Sequence, residues 1–577
     1  MTRRDTSLVL ALVATLAVVA FLVGAPLVGP TPTTAPTEPN DTTTPIDRPY
    51  REGVLGQPES ISPLTARSQA DRDLVALVFA GLVRNGPNGT VVPDLASRWS
   101  VDGTGKTWTF ELREDARWHD GTPVTAADVA FTIHTLQDPD YSGPRATSWT
   151  GVDVQAIGER TVRFTLETPL GGFLQAATQP IAPAHLLADI PVASLPDDPF
   201  GQEPIGSGRF ALVTREDDLV VLRPPDATSV DGGPLGPVAD PTDSLATFSP
   251  TARPASPRPY LDGIEFHYYD DAAALAADYE AGRLDGVSGV DPAVAADIAG
   301  TPNSRLLRYP GSTLTAVLFN LRPGHPAFAS PEVRLALLRA IDRATLIDEA
   351  FGGSAARADA LIPSSSPLFD SAVSTPVGYD PESAATTLEK AGWKRVDGSW
   401  RLPGAKQTFT IDLLSPDEAS NPAAFAAAEA VARDWSAFGI PVEHTGLPPA
   451  EFVRERLTRG DYDAAVGDIA IGLDPDLYPL LASTQTVSGG SNVMGVQDPA
   501  LDQLLGKARQ PGTDKQRKAA YAELQAQLAK GSYILPLAFA DETTVVHEQV
   551  LGPEIRQVSD PSDRFWDVLT WRLADDR

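Results

Sequence analysis

A chain of 577 residues, 42% hydrophobic and 21% charged, is long enough for more than one core and too apolar to stay disordered. With 46 Lys and Arg against 76 Asp and Glu, the formal net charge of −30 repels phosphate backbones and argues against a nucleic-acid partner. The sequence has no Cys, which removes disulfides, thiolate metal sites, a cysteine nucleophile and a lipid-modified N-terminal Cys; seven His leave little for a metal cluster.

Arg3 and Arg4 precede an apolar run from Leu8 to Val28, interrupted only by Thr15, Gly24 and Pro26. That length can span a bilayer as a helix, and the basic flank directs the rest of the chain outside. Residues 1–28 are therefore expected to be a membrane anchor or a signal peptide. Val23-Gly24-Ala25 has the small residues of a cleavage site, but Pro26 would follow the cut, which favours a retained anchor. Residues 29–48 are rich in Pro and Thr and read as a semi-extended linker. The body is thus expected on the outer face of the cytoplasmic membrane, or secreted if the segment is cleaved.

Thr107–Leu112 and Thr161–Leu166 alternate as half-buried strands. Thr125 with Asp128 three residues on opens a helix that runs to Leu136. Ser330-Pro331-Glu332 opens another, with Val333, Leu337, Leu338 and Ile341 on one face. Asp380-Pro381-Glu382 opens a third that stops at Gly392, and a long helix over Pro422–Phe438 ends at Gly439, before a strand at Pro441-Val442-Glu443. Interleaved elements of this kind predict α/β lobes. Residues 224–259, rich in Pro, Gly, Ser, Thr and Asp, are expected to be a disordered surface insertion.

Catalytic motifs are scarce. Gly105-Lys106-Thr107 imitates the end of a phosphate-binding loop, but Ser100 stands where its first Gly belongs and a strand follows, so a hairpin turn at Asp102-Gly103 is expected. Gly206-Ser207-Gly208 reads as a turn, not a nucleophile elbow, and His119-Asp120-Gly121 reads as a turn after a strand. No enzyme, cofactor or metal site is expected.

Gly56-Gln57-Pro58-Glu59-Ser60-Ile61-Ser62-Pro63-Leu64 opens a set of ordered matches. They continue through Pro93-Asp94-Leu95-Ala96-Ser97-Arg98-Trp99, Trp108–Arg113, Trp118–Val129, Pro204–Gly208, Tyr260–Ile264, Phe319-Asn320, Ala340–Arg343, Tyr379-Asp380-Pro381 and Asp474-Pro475. In this the chain resembles the family 5 extracellular solute-binding proteins, the peptide- and nickel-type receptors of ABC importers. The resemblance implies a two-lobe, type II periplasmic-binding-protein-like α/β fold with an additional subdomain in the first lobe. Residues 49–75, 205–318 and 533–573 would form a discontinuous lobe I, residues 76–204 its subdomain and residues 319–532 lobe II, with crossings near Phe319-Asn320 and Leu535-Pro536-Leu537.

The implied function is capture of a peptide or similar small solute in an interlobe cleft, by a monomer that hands it to ABC permease subunits with cytoplasmic ATPases. Two other readings are a membrane-tethered ligand-sensing domain without transport, and a secreted hydrolase on the same scaffold. Peptide-binding members often carry an acid three residues before the Asp-Pro step, where it pairs with the ligand's α-ammonium. The matching residue here is Ile471, and Asp468 points to the opposite strand face, which speaks against an ammonium held at that position. Sparse His and missing Cys speak against nickel. The expected cleft lining is Gly311, Ser312 and Thr313, then Ile469, Ala470, Ile471, Gly472 and Asp474, and Asn492.

Overall fold

The computed structural model describes residues 48–86, 90–144, 149–225, 259–373, 376–487 and 490–574. The expected anchor 1–28, the linker except Arg48, and positions 226–258 of the expected insertion lie outside the described residues. No helix among the described residues is long and apolar enough to cross a membrane. At the linker's end the Arg48 guanidinium grips Asp285 with contacts of 2.6 and 2.7 Å. Burial opposes ionisation of Asp285, but Arg48 and Arg51 together hold its carboxyl below the usual range.

The main sheet is built from β1 (Tyr50–Leu55), β2 (Ala211–Arg215), β3 (Leu219–Arg223), β4 (Ile264–Tyr269), β5 (Gly286–Ser288) and β6 (Ser304–Phe319). It continues with β7 (Ala355–Arg357), β8 (Ile411–Pro416), β9 (Val442–Leu447), β10 (Ala464–Ala470) and β11 (Ile534–His547). The order is β9-β8-β10-β6-β11-β5-β1-β4-β3-β2, with β7 beside β11. β1 is parallel to β4 and β5, and β8 is parallel to β9 and β10. Parallel neighbours need crossover helices, which is why helices alternate with strands along the chain.

Two long antiparallel strands join the halves. β6 pairs with β11 from Ser304↔His547 to Pro310↔Asp541, and again from Leu314↔Phe539 to Leu318↔Ile534. Between these stretches Gly311, Ser312 and Thr313 bulge against the single residue Ala540. A Cβ on Gly311 would stand 2.1 Å from the Ala540 carbonyl oxygen, so only glycine fits the pinch. On one side of the bulge the sheet packs the cores around Tyr50, Tyr309 and Val546 and around Leu275 and Val545. On the other it packs those around Phe319 and Trp435 and around Leu314 and Tyr521. This is a two-lobe α/β fold of the periplasmic-binding type. The partner change lies at Pro310–Leu314, several residues before the expected crossing, because Phe319, Leu535 and Leu537 are committed to the second lobe's core.

Local signals act as anticipated. Within a four-stranded antiparallel sheet (Ala96–Val101, Thr107–Leu112, Thr161–Leu166, Val152–Ala156), alternation buries Trp108, Phe110 and Leu112. Phe110 meets Phe164 edge-on at 5.7 Å, so truncating it to Ala should cost about 3–5 kcal/mol. Helix α1 (Gln69–Val78) starts at a Ser68–Asp71 capping box, and α2 (Ala126–Gln137) has Asp128 reaching back to the Thr125 N–H at 2.7 Å. Helices α3 (Pro331–Arg339) and α4 (Pro381–Lys390) begin at the expected Ser330 and Asp380 caps, and α5 (Pro422–Phe438) at an Asn421 cap, each with Pro in the first turn. Helices α6 (Pro499–Ala508) and α7 (Asp514–Gly531) complete the second lobe's wall.

Candidate functional site between the lobes

The faces of the crossing strands define where the lobes confront each other. Tyr309 and Val546 share one core with α1, the subdomain and the 3-10 helix Pro561–Thr570. Past the bulge, Leu314 and Phe539 pack with residues of the 471–496 segment, α6 and α7. The subdomain reaches across this side. The Gly171 N–H donates to the Arg509 carbonyl at 2.7 Å, and Gly105 packs against Pro511. Gly172 lies against the Asp474 carboxylate so closely that a Cβ would sit 2.7 Å from Asp474 Cγ. The lobes therefore share two strands at one edge of this interlobe face and touch through the 170–172 loop at another.

The structure brings part of the expected lining together. Gly311, Ser312 and Thr313 form the bulge, the Ser312 carbonyl accepts from the Ile471 N–H at 3.1 Å, and Thr313 pairs with the exposed Ala470. Other residues are committed elsewhere. Ile469 is half-buried against the second lobe's core, and Ile471, 5% exposed, packs inside it with Leu477, Leu481 and Met494. Asp474 is gripped by both Arg517 guanidinium nitrogens at 2.7 and 2.8 Å. Asn492, 2% exposed, donates to the carbonyls of Leu481, Ala482 and Val496 and accepts from the Val496 N–H. Its amide organises a buried loop. Gly472 turns the chain with φ +75 between Ile471 and Asp474. Asp468 leaves on the other face, as the alternation requires, to accept from Thr315 and Asn421.

Composition hid two features of the first lobe. Arg564, 3% exposed, binds Asp73 at 2.6 and 2.8 Å and Glu52 at 2.7 Å; both acids are almost fully buried. Burial raises the Asp73 pKa despite the arginine. The second is Glu542 on β11, partly buried, whose side chain makes no hydrogen bond or ion pair among the described residues although Arg564 and Arg72 lie near it. Burial, seconded by Asp560, pushes its pKa up to about 6. The sequence signal was the acidic pair Asp541-Glu542 inside a long strand whose N-terminal half is apolar.

Elsewhere the motifs are structural. Asp102 accepts from Thr104, Lys106 and Thr107 in the expected hairpin turn. The His119 ring meets the Gly208 carbonyl at 3.1 Å, and burial lowers its pKa. A surface depression of about 370 Å³ lies on the solvent face of the four-stranded sheet, lined by Ser100, Asp102, Thr107, Thr109, Arg163 and Thr165. It belongs to one sheet face and has no part in the interlobe geometry. No group of three or more His, Asp or Glu among the described residues could hold a metal ion.

The model of the bacterial extracellular solute-binding proteins, family 5 (middle region), matches residues 90–491. The chain belongs to this family. This solute-binding protein is 28% identical over 530 residues to Protein XP55 of Streptomyces lividans, covering 90% of this chain and 86% of the relative. It is 24% identical over 536 residues to the Oligopeptide-binding protein AppA of Bacillus subtilis, covering 90% and 91%. Its fold matches the solved structure of HbpA2 from Haemophilus parasuis with a TM-score of 0.74 at 20% identity, over 92% of this chain and all of that one. Members of this family bind solutes; they are not grouped by a catalytic reaction.

Proposed function

We propose that this solute-binding protein closes its lobes around a peptide or similar small solute and releases it, chemically unchanged, to the permease subunits of an ABC importer. The observation that carries the reading is the paired connection between the lobes. A bulged pair of shared strands can flex, while the 170–172 loop docks on Asp474 and Arg509 as the lobes meet. Closure excludes water and strengthens each polar contact inside, and a ligand drives it only by binding the closed state better. The oligopeptide named for the Bacillus relative supports the ligand class. The exposed end of β10 at Ala470 suits recognition through peptide backbone.

On this reading residues 49–75, 205–318 and 533–573 act as lobe I, 76–204 as its subdomain and 319–532 as lobe II, with the flexing point at the bulge. Residues 1–28 hold the monomer at the outer membrane face or are cleaved from a secreted form. No step of the cycle needs a catalytic residue. Native mass spectrometry of the purified full chain should show a retained small solute, and a short-peptide library should raise Tm. A solute-free protein stabilised by no library member would refute the reading.

A further inference from the structure

We infer that the first lobe carries a site for a small oxyanion, a phosphate or a carboxylate, at the seam where Arg84 and Arg556 bring together two positive charges with no paired acid. The site goes beyond the capture of a solute between the lobes, and its argument does not depend on that reading.

Two segments supply it. Arg84 lies in a short antiparallel hairpin, Val83–Asn85 against Val91–Pro93, where it pairs with Val92. Arg556 comes from the chain after β11, and its terminal nitrogens donate to the Gly86 carbonyl at 2.7 Å and the Asp563 carbonyl at 3.4 Å. Asn85 adds a hydrogen bond to the Asp563 carboxylate at 3.1 Å, and the Arg556 guanidinium lies 4.5 Å from the centre of the Trp566 ring. Hairpin and tail therefore meet with the two arginines at their seam. Two residues on, the Val558 N–H donates to the Pro310 carbonyl at 2.9 Å, so the tail that carries Arg556 also touches the crossing strand β6.

Charge balance fails at this seam. Arg84 is half-buried and makes no hydrogen bond or ion pair among the described residues, and its Nε is buried without a partner. Asp94, the acid whose charge favours it, is held by Arg209 at 2.6 Å. Arg556 binds carbonyl oxygens, and its Nε is likewise buried without a partner. Asp563 beside it spends its carboxylate on Asn85, Ser559 and the Asp560 N–H. Arg209 repels Arg84, and Arg84 repels Arg556. Burial first, and then these like charges, lower both pKa values, that of Arg556 to about 10. The intervening turn, Pro87-Asn88-Gly89, has no acid to offer. Elsewhere in the same lobe a buried arginine is matched, as Arg564 is by Glu52 and Asp73. In a chain with 76 Asp and Glu against 46 Lys and Arg, two half-buried guanidinium groups without a carboxylate mark a place for an anion from outside. Their planar donor forks match the oxygens of a phosphate or a carboxylate, and an anion held there would tie the hairpin to the tail.

The test titrates the purified full chain, dialysed free of oxyanions, with sodium phosphate, sulfate and acetate against chloride at constant ionic strength. Tm and calorimetry are read for wild type, Arg84→Met and Arg84→Lys. Wild type should gain Tm with an oxyanion and not with chloride, as mass action requires. Arg84→Met should weaken that binding at least about 30-fold, and Arg84→Lys should recover part of it. A larger response to phosphate or sulfate than to acetate identifies a tetrahedral oxyanion, and the reverse a carboxylate. The order of stability should also invert. Without oxyanion Arg84→Met is at least as stable as wild type, because an unmatched charge is gone; with saturating oxyanion wild type is the more stable. Equal responses of wild type and Arg84→Met, or no response to any of the three oxyanions, would overturn the site. Either result leaves the solute between the lobes to be read separately, by native mass spectrometry.

Discussion

Two acidic regions of the molecule, one at the second lobe's rim and one on the first lobe's side of the crossing strand, differ in how they are paired. At the second lobe's rim, Asp474 and Asp476 face Arg517 and Arg509 at 2.7 and 3.0 Å, and those guanidinium groups also lie over Tyr521 and Tyr478. On the crossing strand, the Glu542 carboxylate makes no ion pair, and the pull of Arg564 and Arg72 only partly offsets its burial and the nearby Asp560 and Asp73. The first region is held by ion pairs; the second is not. In a chain with 76 acids, pairing and not acid count marks the carboxylates that hold the fold.

The strongest challenge to that distinction is Arg564→Met. It leaves Glu52 and Asp73 buried without a counterion, and should cost about 3–5 kcal/mol in urea unfolding. Adding Glu52→Gln and Asp73→Asn should recover much of the loss. A small effect of the single substitution would mean that the first lobe's ion cluster is not the closed unit its geometry indicates.

Gly172→Leu tests the rim by shape. A side chain there meets the Asp474 carboxyl at once, so the docked arrangement is lost while each lobe keeps its own core. Ligand affinity should fall roughly 5- to 150-fold, the usual range for coupling between a conformational change and binding. The Tm without ligand should hardly move, and small-angle scattering should show no compaction on adding ligand. Unchanged affinity would show that the 170–172 loop does not take part in closure.

Much of the fold was legible because its signals are local. Thr125 with Asp128, Asp380 with Pro381, and the alternation of Thr107–Leu112 each act within a turn or a strand. The crossing was expected near Phe319-Asn320, because the bulge at Gly311–Thr313 exists only when Ala540, more than two hundred residues on, is pressed against it. Of the expected lining, Gly311–Thr313 and Ala470 meet at the crossover, with Gly311 and Ser312 buried there. Asp474 and Asn492 looked available because their partners are invisible to local pattern: Arg517 lies on another helix, and the Asn492 amide folds back on its own loop. Ile471 marks a departure from the family's acid, but it packs in the core, so its chemistry bears on folding and not on a ligand.

A smaller effect belongs to the rim pair itself. Arg517→Met leaves Asp474 partly buried and unpaired, for about 1–3 kcal/mol in thermal or urea unfolding. The double variant with Asp474→Asn should be closer to wild type than the single one. A single variant as stable as wild type would make the pair a surface contact of negligible weight.

The finest discrimination comes from pH. Glu542 has its pKa raised from 4.5 to about 6, so the folded protein holds this proton more tightly than the unfolded chain does. Its charge therefore works against folding above pH 6, and that penalty fades as pH falls from about 6 to 4.5. Glu542→Gln should exceed wild type by about 1 kcal/mol at pH 7, allowing for partial exposure, and the gap should close by pH 4.5. A constant stability gap from pH 7 to 4.5 would mean that Glu542 is as well paired as Asp474.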